Sequence, residues 1–218
     1  MSQNSAPQIK THKDYLGDLI GGSLMIKESQ IVAELLLKKP NQEEWLEAIV
    51  NQNLLQKRSD ASAKRNGATI KKRIENMPDE YLEQVAFGST ELSTQLMLAA
   101  TLINCTLLAD FMRNVVHDAK RMFRESLDIG DWESFWDDRC RLFPELAKMS
   151  DSSTYKIAQV AFKVLADASY IETTRNKKLQ KRRQQKLASY HKNKTVKQTE
   201  YKQTSGAIRK RMYRAKQA

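Results

Sequence analysis

The sequence predicts an all-α protein: a compact helical globule with two helix-turn-helix-like units and a basic C-terminal arm, helical or flexible. The 218 residues include only seven glycines and four prolines, so the turn signals expected of a sheet protein are scarce. Apolar residues make up 40% of the chain, which is enough for a buried core. Within several segments these apolar residues recur at helical spacing.

Positive charge is concentrated in two segments of the chain. The formal net charge is +11, but residues 175–218 alone hold 16 Lys or Arg against one Glu. Residues 57–73 hold seven Lys or Arg against one Asp, so the remaining residues are net acidic. This segregation favours surfaces that face a polyanion. The tail, with its cluster Lys181, Arg182 and Arg183, is interpreted either as an arm that contacts nucleic-acid phosphates or as a solvated extension.

The first helix-turn-helix-like unit consists of three helices with short connectors. A helix is predicted from about Lys27 to Lys38, ending before Pro40. Asn41 and Glu44 then form a capping box that starts the second helix, and Ser59 caps the third. This is the order of a helix-turn-helix unit whose third helix is the recognition helix.

The third helix combines a buried stripe with a cationic outer face. At 100° per residue, an inner row from Ala63 to Met77 falls within about 40° of one direction. Arg65 and Lys72 lie on the opposite side among small residues, where they can approach base edges while flanking cations hold phosphates. The alternative is an ordinary solvated face. The candidate DNA contacts are Ser62, Lys64, Arg65, Thr69, Lys71, Lys72 and Arg73.

The middle of the chain supplies the predicted core. A short helix is expected to end at Gly88, in the left-handed position that follows many helices. Residues 90–123 are apolar nearly all round and predict one long central helix. A further helix is predicted to start at Asp131, with Trp132, Phe135 and Trp136 spaced for core packing.

A second helix-turn-helix-like unit is predicted at residues 144–168. Pro144 starts a short helix, a serine-rich turn follows, and a longer helix runs from about Ser153 to Ala168. The outer face of this longer helix either contacts DNA or serves only packing, and the pattern leaves both possibilities open. Its candidate DNA contacts are Ser152, Tyr155, Lys156, Gln159 and Lys163.

No pattern in the sequence indicates catalysis. There is no glycine-rich phosphate loop, the three histidines are isolated, and no nucleophile is paired with a base. We therefore expect a non-enzymatic protein without a metal, a cofactor or a small-molecule substrate. Cys105 and Cys140 are expected to be reduced thiols. Residues 96–111 are too short to span a bilayer, so a cytoplasmic protein without a membrane partner is predicted.

Several blocks resemble the BrxA family of bacteriophage exclusion (BREX) systems. They are YLGDLIGGSLMIKESQIVAELLL, EEWLEAIVNQNLLQKRSDASAKRNGATIKKRIENM and the blocks DFMRNVV, DWESFWDDR and FPELAKMSDSSTYKIAQVAFKVLADASYIE. The resemblance runs from about Tyr15 to Glu172 and lies in the order and spacing of these blocks. It implies an all-helical fold with helix-turn-helix units, binding of double-stranded DNA, and a phage-defence setting beside a methyltransferase, an ATPase and a phosphatase-like protein. It implies nothing about the basic tail.

Residues and resemblance together predict a non-enzymatic protein that binds double-stranded DNA. The predicted regions are a flexible N-terminus (1–14), the first helix-turn-helix unit (15–88), the central helix with the second unit (89–174) and the basic tail (175–218). One alternative is a protein–protein adaptor that docks another defence component. Another is an RNA-binding helical protein, although the chain lacks the paired exposed aromatics typical of single-strand readers.

Overall fold

Helices form the regular secondary structure of a computed structural model that describes residues 11–175 and 177–179. Within these residues only two isolated β-bridges occur, Ser126–Lys178 and Ile171–Leu179, so the predicted all-α class is confirmed. The helices are α1 (His12–Leu16), α2 (Ile26–Leu37), α3 (Gln42–Leu46), α4 (Asp60–Ile74), α5 (Asp79–Phe87), α6 (Thr90–Asn104), α7 (Thr106–Phe111), α8 (His117–Arg121), α9 (Ile129–Leu142) and α10 (Asp151–Asp167).

Short irregular turns extend or precede some of these helices. A π-helical turn, Glu47–Asn51, continues α3, and a second one, Met112–Val116, joins α7 to α8. Single 3₁₀ turns cover Leu19–Gly21 and Leu146–Lys148. The latter is all that forms of the short helix predicted to start at Pro144.

The predicted helix starts of the first unit are confirmed by their caps. The backbone N–H of Glu44 donates to Asn41 Oδ1 at 2.9 Å, and the N–H of Asn41 donates to Glu44 Oε2 at 2.8 Å. The N–H of Ser62 donates to Ser59 Oγ at 3.3 Å, which caps α4. Because these side chains satisfy N–H groups that have no intrahelical partner, the chain direction at both starts is fixed locally.

The start of α9 was predicted two residues too late. Asp128 is the N-cap, and its carboxylate accepts from the N–H of Asp131, which is the third helical residue. Arg124 also donates to both carboxylate oxygens of Asp131, at 2.6 and 2.9 Å. Burial alone would raise the pKa of Asp131, but these hydrogen bonds outweigh it and lower the pKa.

The core brings residues from both halves of the described chain into one cluster. Phe111 lies at its centre, with ring centroids at 4.8 Å from Trp132, 5.2 Å from Phe135 and 5.9 Å from Phe162. Trp132, Phe135 and Trp136 are all buried. The prediction that this triplet packs in the core is therefore confirmed.

The predicted long central helix is wrong, because the chain bends by 109° between α6 and the segment Thr106–Arg121. Cys105 adopts an extended conformation at the break, and its thiol donates to the carbonyl of Leu16 at 3.1 Å. Burial raises the pKa of this thiol to about 12. A tertiary contact lies at the break: Gly17 packs so close that a Cβ added there would be 2.0 Å from the carbonyl oxygen of Asn104.

Among the described residues, no single helix is both long and apolar enough to cross a membrane, although the bent pair of α6 and Thr106–Arg121 meets those two criteria together. Two smaller differences concern helix ends. Gly88 follows α5 as predicted but has φ −70°, so it is not in the left-handed region. Helix α1 has no counterpart among the predicted elements.

We expect Gly17→Ala to destabilise the protein by about 2 kcal/mol or more. Gly17 has φ +57°, and its missing Cβ is what permits the contact with backbone atoms of Asn104 and Cys105. Urea denaturation followed by circular dichroism measures this free energy of unfolding. Gly130→Ala is the matched control, since Gly130 is not in the left-handed region and its added Cβ would meet only the Asp128 side chain, at 3.0 Å. Equal stability of the two variants would show that the close contact at Gly17 does not require a glycine.

Candidate nucleic-acid interface

Helix α4 is anchored by the inner row that the sequence predicts. Ala63, Gly67, Ile70 and Ile74 are buried, and Met77 is partly buried against the same core. The absence of a side chain at Gly67 lets α4 approach the preceding helix, because a Cβ there would lie 3.1 Å from Ile49 Cγ2 and 3.4 Å from the ring of Trp45. The stripe therefore fixes which face of α4 is turned to solvent.

The solvent face of α4 carries cations without acidic partners. Lys64, Arg65 and Lys72 are exposed, and none of the three forms an ion pair within residues 11–175 and 177–179. Ala61, one turn before Arg65, and Ala68, between Arg65 and Lys72, are also exposed, so the side chains next to these two cations are small. Within the described residues these side chains are therefore neither turned inward nor paired with a carboxylate, which is compatible both with a DNA-facing surface and with an ordinary solvated face.

Lys71 lies at the edge of this face and is half-buried. Its Nζ is 4.8 Å from the ring centroid of Trp45, a cation–π contact that orients the side chain along the helix surface. Ser62 is half-buried at the start of α4, where its hydroxyl accepts from Ser59 Oγ at 3.1 Å.

Two of the predicted DNA contacts are wrong, because Arg73 and Thr69 are buried. Arg73 is 1% exposed; its Nε donates to Asp18 Oδ2 at 2.7 Å, and its terminal nitrogens donate to the carbonyls of Ser23 at 2.6 Å and Gly22 at 2.9 Å. Thr69 packs against Gly21, where an added Cβ would lie 2.5 Å from Thr69 Oγ1. Neither side chain can reach a phosphate.

Helix α10 presents the second candidate face as predicted. On its inner face Ile157, Ala161 and Val164 are buried, as is Ala168 just after the helix, and Val160 is partly buried. The exposed outer residues are Ser152, Tyr155, Lys156, Gln159 and Lys163. Lys163 Nζ donates to Asp167 Oδ1 at 2.7 Å, so this face is electrostatically weaker than that of α4. Lys181, Arg182 and Arg183 lie outside the described residues.

The arrangement of α2, α3 and α4 matches a helix-turn-helix unit in order but not in turn length. Helix α2 packs against α4 and α5, and α4 also packs against the π-helical turn after α3. The connector between this turn and α4 covers residues 52–59, longer than the three or four residues typical of the motif. Asn53 orders it, since its amide donates to the carbonyl of Lys57 at 2.8 Å and its carbonyl accepts from the N–H of Lys57 at 2.9 Å.

Fold and site together define an all-α protein that exposes an uncompensated cationic helix on a packed helical core. The family model described as BrxA matches residues 13–191. "BREX protein BrxA" of Escherichia coli O9:H4 (strain HS) is 39% identical over 179 residues, which cover 82% of this chain and 84% of that protein. "BREX protein BrxA" of Paramagnetospirillum magneticum (strain ATCC 700264 / AMB-1) is 35% identical over 165 residues, or 76% and 83%. The chain belongs to the BrxA family of BREX phage-defence systems.

A solved structure has the same fold. The crystal structure of an uncharacterized protein from Magnetospirillum magneticum matches with a TM-score of 0.70 and 32% sequence identity, over 84% of this chain and 95% of that chain. The match covers nearly all of the solved chain, so the helical arrangement around α4 is shared rather than particular to this sequence.

We expect Asp18→Asn to destabilise the protein by about 3 kcal/mol, because it leaves the Arg73 guanidinium buried without its counter-charge. The side chains of Arg73 and Asp18 are 0% and 8% exposed, so water cannot replace the lost carboxylate. Thermal and urea unfolding measure the change. Arg65→Ala is the control on the exposed face of α4 and should alter stability by no more than about 0.5 kcal/mol. A loss below about 1 kcal/mol for Asp18→Asn would show that the ion pair does not anchor α4.

Proposed function

We propose that this chain is a non-enzymatic, cytoplasmic accessory protein of a BREX system that binds double-stranded DNA through α4. The observation that carries the proposal is the trio Lys64, Arg65 and Lys72, which is exposed and lacks acidic partners within the described residues. A helix serving only solubility would usually intersperse Glu with Lys at a spacing of four residues. Uncompensated cations of this kind gain most from a polyanion, because neutralising phosphates releases condensed counterions.

The dimensions of α4 suit the major groove of DNA. A helix is about 10–12 Å in diameter with its side chains, which fits the ~12 Å width of the groove, and Arg65 and Lys72 lie about 10 Å apart along the helix axis. Ala61, before Arg65, and Ala68, between Arg65 and Lys72, have small side chains that permit a close approach to base edges. Lys64 and Lys71 would then hold phosphates on either side, while Ser62 near the helix start can donate to the backbone of the duplex.

The outer face of α10 is proposed as a secondary contact with the duplex. Lys156 supplies a cation there, while Ser152, Tyr155 and Gln159 supply hydrogen-bonding groups. Lys163 already pairs with Asp167, so its contribution requires that this ion pair be exchanged for a phosphate. The basic tail, including Lys181, Arg182 and Arg183, would add affinity that does not depend on sequence.

A second candidate function, docking of another BREX component, is favoured by an exposed apolar pair at the end of α8. Met122 is 74% exposed and Phe123 is 85% exposed, and Phe123 has φ +55°, a conformation that is unusual for an aromatic residue. Membership of the BrxA family makes other components of the system the natural partners. Met122→Ser/Phe123→Ser should abolish co-purification with such a partner, and leave DNA retention unchanged, if docking is the function of this pair.

DNA affinity of the full chain should depend steeply on salt. If about six phosphates are neutralised, affinity for a random duplex should fall roughly 10³-fold between 50 and 200 mM salt. Fluorescence anisotropy at several ionic strengths measures this slope. A flat response would rule out a phosphate-facing surface. Single-stranded DNA and structured RNA are added as competitors in the same assay. Stronger competition by RNA than by duplex DNA would favour the RNA-binding alternative.

Charge reversal on α4 should separate DNA binding from partner docking. Arg65→Glu/Lys72→Glu is expected to lower duplex affinity at least about 100-fold at low salt, since two phosphate-facing cations become anions. The matched control Arg141→Glu/Lys13→Glu makes the same change in net charge at exposed positions on α9 and α1. Gel shifts of both variants, with partner pull-downs in parallel, measure the two functions. Equal DNA affinity of the two variants would contradict a role of α4.

A further inference from the structure

A surface pocket of about 360 Å³ lies on the outer side of α10. Phe162 is part of its lining but is only 3% exposed, whereas Ile129 at the start of α9 is 40% exposed and adds apolar surface. Tyr155 also lines the pocket, with 60% of its surface exposed. The pocket therefore offers one accessible aromatic ring and an apolar surface beside it.

The polar groups around this pocket are suited to an anion with hydrogen-bonding edges. Lys177 Nζ lies 5.1 Å from the ring centroid of Phe162, and Thr174 is beside it in the lining. The side chains of Tyr155, Gln159 and Thr174 have no hydrogen-bond partner in the described part of the chain. No Asp or Glu lines the pocket there, so its cations are not locally neutralised except through the Lys163–Asp167 pair.

The wall that carries Thr174 and Lys177 is held by backbone hydrogen bonds. The N–H of Leu127 donates to the carbonyl of Lys177 at 3.0 Å, and the N–H of Leu179 donates to the carbonyl of Glu125 at 2.8 Å. These bonds place the Lys177 side chain over Phe162 before any ligand arrives. The N–H groups of Leu127 and Leu179 are used in these bonds, so we expect side chains to recognise the ligand.

We propose that this pocket binds one unstacked nucleotide, with its base against the exposed ring of Tyr155 and the side chain of Ile129, and its phosphate at Lys177 and Thr174. The volume lies at the small end of the ~300–1,000 Å³ typical of ligand pockets, which suits a single nucleotide. Base stacking on an aromatic ring tolerates any base, and the Gln159 amide can pair with a base edge.

This assignment changes the roles of Tyr155 and Gln159. Both were placed in the secondary duplex contact, whereas a base stacked within a duplex cannot enter a pocket. The pocket and α4 are thus different kinds of site, and the nucleotide pocket stands whether or not α4 binds a duplex.

Isothermal titration of the full chain with deoxyadenosine monophosphate and deoxycytidine monophosphate tests the proposal. One nucleotide should bind per chain, and Tyr155→Ala and Lys177→Ala should each weaken binding about tenfold, through loss of stacking and of the phosphate partner. Lys156→Ala is the matched control for this titration, because it removes a cation next to Tyr155 that lies outside the lining. Unfolding curves of the variants verify that each is folded.

Three results would overturn the proposal. They are absence of mononucleotide binding to the wild-type chain, equal loss of binding in Lys156→Ala and Lys177→Ala, and equal affinity for deoxyribose 5-phosphate, which has no base. A short acidic peptide with one aromatic residue is titrated as well. Binding of that peptide without binding of nucleotides would assign the pocket to a protein partner and also overturn the proposal.

A second arm distinguishes a free nucleotide from one within a DNA strand. Duplexes with a 5′-phosphorylated single-nucleotide overhang are compared with blunt duplexes. Tighter binding of the overhang that disappears in Tyr155→Ala assigns the pocket to strand ends. Equal binding of both duplexes, together with mononucleotide binding, assigns it to free nucleotides. Arg65→Glu/Lys72→Glu should leave mononucleotide affinity unchanged. The titration therefore tests the pocket independently of the proposal that α4 binds duplex DNA.

Discussion

The buried ion pair between Arg73 and Asp18 and the apolar stripe beside it together fix the orientation of α4. A buried charge is tolerated only when its donors are satisfied, and Arg73 meets this condition with the Asp18 carboxylate and the carbonyls of Gly22 and Ser23. Rotating α4 about its axis would break these three hydrogen bonds and expose the apolar stripe around Ile70. With Arg73 and the apolar stripe fixed in the interior, Arg65 and Lys72 on the side of α4 opposite the stripe face solvent.

The segment that holds Arg73 also shapes the core. Gly17, one residue before Asp18, packs on the backbone at the end of α6, and the carbonyl of Leu16 accepts from the Cys105 thiol. One short stretch before α2 therefore connects α4 to the bend between α6 and α7. Tyr15 extends this contact, since its hydroxyl donates to Asp110 at 2.8 Å. Burial and this hydrogen bond to a carboxylate raise the pKa of Tyr15, so it stays a neutral donor.

The sequence pattern predicted those features that depend on interactions within one helix. The caps at Asn41 and Ser59, the inner stripe of α4 and the exposure of Arg65 follow from spacing within one helix. The bend at Cys105 could not be predicted, because the backbone that packs against it belongs to residues nearly 90 positions earlier in the chain. Burial of Arg73 could not be predicted either, because its partner Asp18 lies 55 residues away in the sequence. An arginine at the edge of an amphipathic stripe usually reaches solvent.

The two candidate surfaces of the chain differ in what surrounds their cations, and this difference is a better guide than charge alone. On α4 the neighbours are small and flat, so the cations can follow an extended polyanion. At the pocket beside α10, Lys163 is paired with Asp167, and Lys177, which follows the helix in the chain, lies over the ring of Phe162, so the positive charge borders a pocket rather than an open surface. An extended polymer makes few contacts inside a pocket, whereas a single aromatic anion can both stack on an aromatic ring and pair with a cation there. Tyr155 and Gln159 thus fit an individual nucleotide better than a second stretch of duplex, which leaves Ser152 and Lys156 for the proposed secondary contact with the duplex.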